Sequence, residues 1–107
     1  MIARIWHGYT SKQNADIYEN LLKEGIFPGI EKKNVKGYKG IQLLRRDLEI
    51  EVEFTTIMWF NNIESVKQFA GDNYEMAYVP AKAREVLARF DATSVHCELR
   101  YNLQYDF

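Results

Sequence analysis

Apolar and polar residues alternate from Ile2 to Tyr9, and the β-branched and aromatic side chains there predict a strand. The period then changes. Ala15, Tyr18, Leu21, Leu22 and Gly25 recur at helical spacing, with Lys12, Gln13, Asp16, Glu19 and Lys23 elsewhere around the wheel. Thr10 or Ser11 is the expected N-cap, because a short hydroxyl side chain accepts from a free amide of the first turn, and Gly25 is the expected end. Pro28, Gly29 and Gly37 make Ile26 to Gly37 a connection with one helical turn. Tyr38 to Asp47 and Glu49 to Phe60 read as strands joined through Asp47-Leu48-Glu49. Asn61 and Glu64 have the spacing of a capping box, and Ile63, Val66, Phe69 and Ala70 form a helical stripe that Gly71-Asp72 breaks. Pro80 suits the first turn of another helix, carrying Ala83, Val86 and Leu87. Thr93 to Tyr101 is the last strand, and Asn102 to Phe107 an aromatic tail.

That order is β-α-β-β-α-β within 107 residues, the α+β plan called ferredoxin-like: an antiparallel sheet with helices on one face. The length fits one domain over residues 1–107. The uncovered face must meet something, usually a second copy, so a homodimer is expected. On the third strand Val52, Phe54, Thr56 and Met58 share one side, and Glu51, Glu53, Thr55, Ile57 and Trp59 the other. On the last strand Val95, Cys97, Leu99 and Tyr101 oppose Ser94, His96, Glu98 and Arg100. A mixed face holding Ile57, Trp59 and His96 suits a dimer interface or the wall of a polar cavity. Tyr101, Tyr105 and Phe107 are too apolar to be left in water and are expected to dock on the partner subunit.

Composition narrows the functions. Apolar residues are 47% and aromatics 14%, so the chain can bury a core and is not a disordered segment. Net charge is −1 from 14 basic and 15 acidic residues, which leaves no field to hold a nucleic acid. Arg45-Arg46 and the scattered Lys32, Lys33, Lys36 and Lys39 read as a solvated loop and strand edge. Cys97 is alone, so no intrachain disulfide or cysteine metal cluster forms and a reducing compartment is expected. No run approaches the roughly 18 apolar residues of a membrane span, and no signal peptide is read, so the expected setting is cytoplasmic.

His7 and His96 are the only histidines. Imidazole titrates near neutrality, so either is a candidate general base, with a satisfied strand histidine as the plain alternative. Their separation from each other and from carboxylates at ligand spacing points to no metal. Trp6 and Trp59 stand near strand ends where an indole stacks on an aromatic ligand or packs in a core or interface. Tyr74 and Tyr78, a helical turn apart, present two hydroxyls to a cavity or belong to a packed helix break between Gly71 and Pro80. Arg4 and Arg100 are candidates for binding an anion or for interface ion pairs.

Several segments carry a family resemblance. The opening Met1-Ile2-Ala3-Arg4-Ile5-Trp6 with Gly8, the strand end Thr56-Ile57-Met58-Trp59, the stretch Phe69-Ala70-Gly71-Asp72-Asn73-Tyr74-Glu75, and Phe90-Asp91 leading to Val95-His96-Cys97-Glu98 resemble the antibiotic biosynthesis monooxygenase family. The resemblance implies a dimeric α+β barrel in which two ferredoxin-like sheets pack face to face. It implies a small cofactor-independent monooxygenase that oxidises an electron-rich aromatic of quinol or anthrone type with O2. His96 or His7 would then be the base, and Trp6, Phe54, Trp59, Tyr74 and Tyr78 the pocket for a small aromatic. The same fold also serves non-catalytic ligand-binding or stress-response dimers and haem-binding proteins. The haem-degrading branch uses an Asn, a Trp and a His that fall at His7, near Phe69 and near Tyr78, and none matches.

Overall fold

The computed structural model describes residues 1–105, so Phe107 of the aromatic tail lies outside the described residues. The elements run β1 (Ile2–Ser11), α1 (Ala15–Leu21), a π-helical turn (Leu22–Ile26), α2 (Phe27–Lys32), β2 (Tyr38–Asp47), β3 (Glu51–Phe60), α3 (Ile63–Ala70), α4 (Ala81–Val86), β4 (Arg89–Phe90) and β5 (Val95–Glu98). The sheet order is β2-β3-β1-β4, with β5 pairing the same edge of β1 as β4 does, and every pairing is antiparallel. Helices cover one face of this sheet, as the ferredoxin-like plan requires.

Five expectations shift in detail. Thr10 and Ser11 finish the strand rather than cap the helix; Asn14 is the N-cap, and its amide donates to Ser11 Oγ at 3.2 Å. Gly25 does not end the first helix, which passes through the π turn into α2. The cause is Pro28, which has no amide to donate at the point where the register changes and the Phe27 amide reaches back to Leu22. The cap of α3 is Asn62, one residue later than expected, and its Oδ1 accepts from the Ser65 amide at 2.9 Å and from Ser65 Oγ at 3.0 Å. The turn joining β2 and β3 is Leu48–Ile50 rather than Asp47–Glu49. The last strand is short at both ends: β4 takes the Gly8–Tyr9 stretch of the β1 edge, and Glu98 already pairs with Ile2, so the residues after it run past the start of β1.

Two glycines permit close approaches. At Gly37, with φ +88°, a Cβ would lie 2.0 Å from Ser65 Oγ, so the entry to β2 packs directly on the start of α3. At Gly8 a Cβ would press on Leu87 and on the Trp6 indole at 3.0 Å, so the missing side chain lets that indole lie along the strand.

The core lies between helices and sheet in two clusters. Tyr18, Leu22, Val52, Phe54, Val79 and Ala83 form one. Met58, Phe60 and Val66 form the other, with Ile30, Ile41 and Phe69 packed against it. The alternation read on β3 holds: Val52, Phe54, Met58 and Phe60 are buried. On β5 the parity settles against the sequence reading. His96 pairs with Arg4, and Arg4 pairs with Met58, so His96 stands on the helix-covered side and not on the face of Ile57 and Trp59. The uncovered face carries Ile5, His7, Ile57, Trp59, Val95 and Cys97. Val95 there is 57% exposed, and so is much of the tail, with Tyr101 and Tyr105 each at 75%. No helix among the described residues is long and apolar enough to cross a membrane.

Candidate functional site

Between the two clusters a cavity of about 100 Å³ remains. Its wall on the sheet side is Arg4, Trp6, Thr56 and Met58, and its helical side includes Leu22, Phe27 and Phe69. Tyr78, which is 80% exposed, stands where the cavity meets solvent. A space of this size is on the scale of apolar cavities that take one small ring.

Arg4 is the polar centre of the wall. It is only 5% exposed. Its Nη1 donates to the Tyr74 carbonyl oxygen at 2.5 Å and to His96 Nε2 at 3.0 Å, and Nη2 reaches the Met76 carbonyl oxygen at 3.4 Å. The guanidinium also lies 5.8 Å from the Phe69 ring centre, within cation–π range. These bonds fasten the irregular segment between α3 and α4 to β1. The same segment is held on its far side by a bridge between Met76 and Thr93 and by the Ser94 amide donating to the Glu75 carbonyl.

An arginine can only donate, so His96 Nε2 is an acceptor and the imidazole carries its proton on Nδ1. Burial first, and the Arg4 charge second, push His96 below the ordinary imidazole range, with Glu75 opposing them. The Tyr74 ring meets His96 edge-on with centres 5.2 Å apart. His96 is therefore a neutral ring set behind Arg4, one layer back from the cavity.

The other expected site residues separate. Trp6 lines the cavity and its Nε1 donates to the Asp91 carbonyl oxygen at 2.8 Å. His7 points to the opposite face of the sheet, where its Nδ1 lies 2.8 Å from Asp91 Oδ2. Asp91 thus holds Trp6 through its carbonyl and His7 through its carboxylate. Phe54 is fully buried against Tyr18, with ring centres 5.0 Å apart, and is core rather than pocket wall. Trp59 is on the uncovered face, its Nε1 donating to Gln42 Oε1 at 3.1 Å. Tyr74 and Tyr78 are not on a common helix: the segment is turns and extended chain, so Tyr74 supports His96 and Tyr78 alone borders the cavity. No cluster of three or more His, Cys, Asp or Glu side chains with metal-site geometry occurs among the described residues.

No protein-family model matches the chain, and no curated protein matches it in sequence. Among solved structures, the chain is similar to a Bacillus cereus protein described as a candidate antibiotic biosynthesis monooxygenase. The TM-score is 0.66 at 14% identity, covering 98% of each chain. It is also similar to Rv0793 of Mycobacterium tuberculosis, with a TM-score of 0.59 at 15% identity over 96% of this chain and 98% of the other. The chain has their fold. The ferredoxin-like fold expected from the sequence is thus the fold found by shape. At such identities the site must be argued from this chain's own residues.

Proposed function

We propose that this chain forms a homodimer through its uncovered sheet face and binds a small electron-rich aromatic in the cavity. The activity proposed is metal- and flavin-independent oxidation of a phenol or quinol by O2. A phenolate is electron-rich enough at a ring carbon to react with O2; one oxygen atom enters the ring to give a quinone and the other leaves as water. The observation that carries the reading is the apolar cavity with a buried cation and a neutral imidazole in and behind its wall. The cation favours the phenolate, and His96, the only histidine on that side of the sheet, becomes free to take the proton when the phenolate draws the Arg4 donor off its Nε2. A cavity of about 100 Å³ favours a single-ring quinol over an anthrone. Haem is not favoured at this cavity, because no histidine is among the residues that line it. A reducing, cytoplasmic setting remains part of the proposal, on the strength of the single cysteine.

The second reading is a non-catalytic small-ligand dimer. It is favoured by the His96 Nε2 lone pair being occupied by Arg4. Oxygen uptake with a panel of single-ring quinols separates the two. On the catalytic reading, His96→Gln lowers turnover by about 100-fold or more, the scale of a lost general base. On the binding reading no quinol drives oxygen uptake while ligand still binds. A stability control accompanies this. Because folding lowers the proton affinity of His96 from the ordinary imidazole value, its contribution to stability is present above that value and is lost as pH falls below it, where the unfolded chain takes up the proton. The acid-side loss of stability should be smaller in His96→Gln.

A further inference from the structure

The arginines differ in what they face. Arg45, Arg46, Arg89 and Arg100, all at or near the surface, meet carboxylates: Asp16 and Glu19, Glu53, Glu51, and Glu98 in turn; Arg84, exposed to water, donates to the Val79 carbonyl oxygen. Arg4, the buried one, has no carboxylate within 4.0 Å among the described residues; its acceptors are two carbonyls and a neutral imidazole. A guanidinium has five N–H donors, so these three bonds leave two without a protein acceptor among the described residues. Removing a charge from water is unfavourable unless an opposite charge or a full set of hydrogen bonds replaces the water. Here the cation is instead presented to a cavity whose other walls are Trp6, Met58, Phe69 and similar apolar groups.

We infer that Arg4 is the recognition element of this cavity and that the ligand is a single aromatic ring bearing an oxyanion, either a carboxylate or a phenolate. The inference rests on the cavity being the ligand site and names the class of molecule it takes. The oxyanion accepts the spare guanidinium donors while the ring lies between Phe69 and Trp6. At about 100 Å³ the space is on the scale of one ring. The planar fork of the guanidinium matches a carboxylate or phenolate oxygen better than an ammonium would. His96 holds the fork in place by accepting from Nη1.

The test is binding alone, in nitrogen-purged buffer, so that turnover plays no part. Benzoate and 4-nitrophenol above its ionisation pH represent the two oxyanions; benzamide and anisole are the neutral rings of similar size. Calorimetric titration of the wild-type protein should give at least about tenfold tighter binding of both anions than of both neutral rings, the scale of one charge-assisted hydrogen bond. Arg4→Met, which fills similar space without charge, should remove that preference, and unchanged far-UV circular dichroism shows that it has folded. Tight binding of only one anion assigns the oxyanion as carboxylate or as phenolate. Equal binding of anions and neutral rings by the wild type would overturn the role of Arg4 and leave the cavity as the site. Anion preference that survives in folded Arg4→Met would overturn it too. If no ring binds, the cavity is not the site and both readings fall.

Discussion

Phe54→Ala is expected to lower the stability of the fold by about 3–5 kcal/mol, measured by urea denaturation, because truncating a buried phenylalanine loses its transfer energy and leaves a void. Phe54 is fully buried in the larger cluster, edge-on to Tyr18 and beside Val52 on the helix-covered face of β3. A pocket wall would behave differently. Its truncation would leave stability nearly unchanged and enlarge the ligand space. The size of the stability loss therefore separates the core placement of Phe54 from the pocket role that its sequence position had suggested.

The second large effect concerns association. Ile57 sits at the middle of the uncovered face, opposite Ile5 on β1 and Gln42 on β2, and Trp59 lies two residues away on the same side. If two such faces pack against each other, Ile57→Asp buries an unpaired carboxylate at the seam, a change large enough to split the assembly. Light scattering should give a particle of two chains for the wild type and one of 12.6 kDa for the variant. Deleting residues 102–107 should weaken the dimer without abolishing it, since the exposed Tyr101, Leu103 and Tyr105 suggest docking on a partner. A wild-type particle of a single chain at micromolar concentration would remove the dimer from the account.

The sequence was most legible where one period dominates. The alternation on β3 translates directly into burial, and the helical stripe Ile63, Val66, Phe69 and Ala70 turns inward with Val66 buried and the other three half-buried. Local signals failed where two residues compete for one role. Asn61 and Asn62 are both capping residues, and only the Ser65 contacts decide between them. Pro28 reads as a break, yet the π turn absorbs its missing amide and the helix continues. The site was the least legible. His96 was placed with Ile57 and Trp59 because strand parity across a sheet depends on long-range register, and only the Arg4–His96 pairing fixes it. Arg4 itself left a faint signal: a lone charge in the middle of an otherwise apolar strand, sharing its side with Trp6 and Gly8. Such a residue reads as a surface ion pair unless the helices above it are known.

The two tryptophans allow the central claim, a ligand site on the helix-covered face, to be tested in one measurement. Trp6 lines the cavity and Trp59 lies on the opposite face of the same sheet. Each indole N–H gives one cross-peak in a proton–nitrogen correlation spectrum, assigned with Trp6→Phe and Trp59→Phe. On titration with benzoate or with 4-nitrophenol, the Trp6 peak should shift progressively and saturate while the Trp59 peak stays in place. A Trp59 peak that moves while Trp6 is still, or two peaks that never move, would contradict the site.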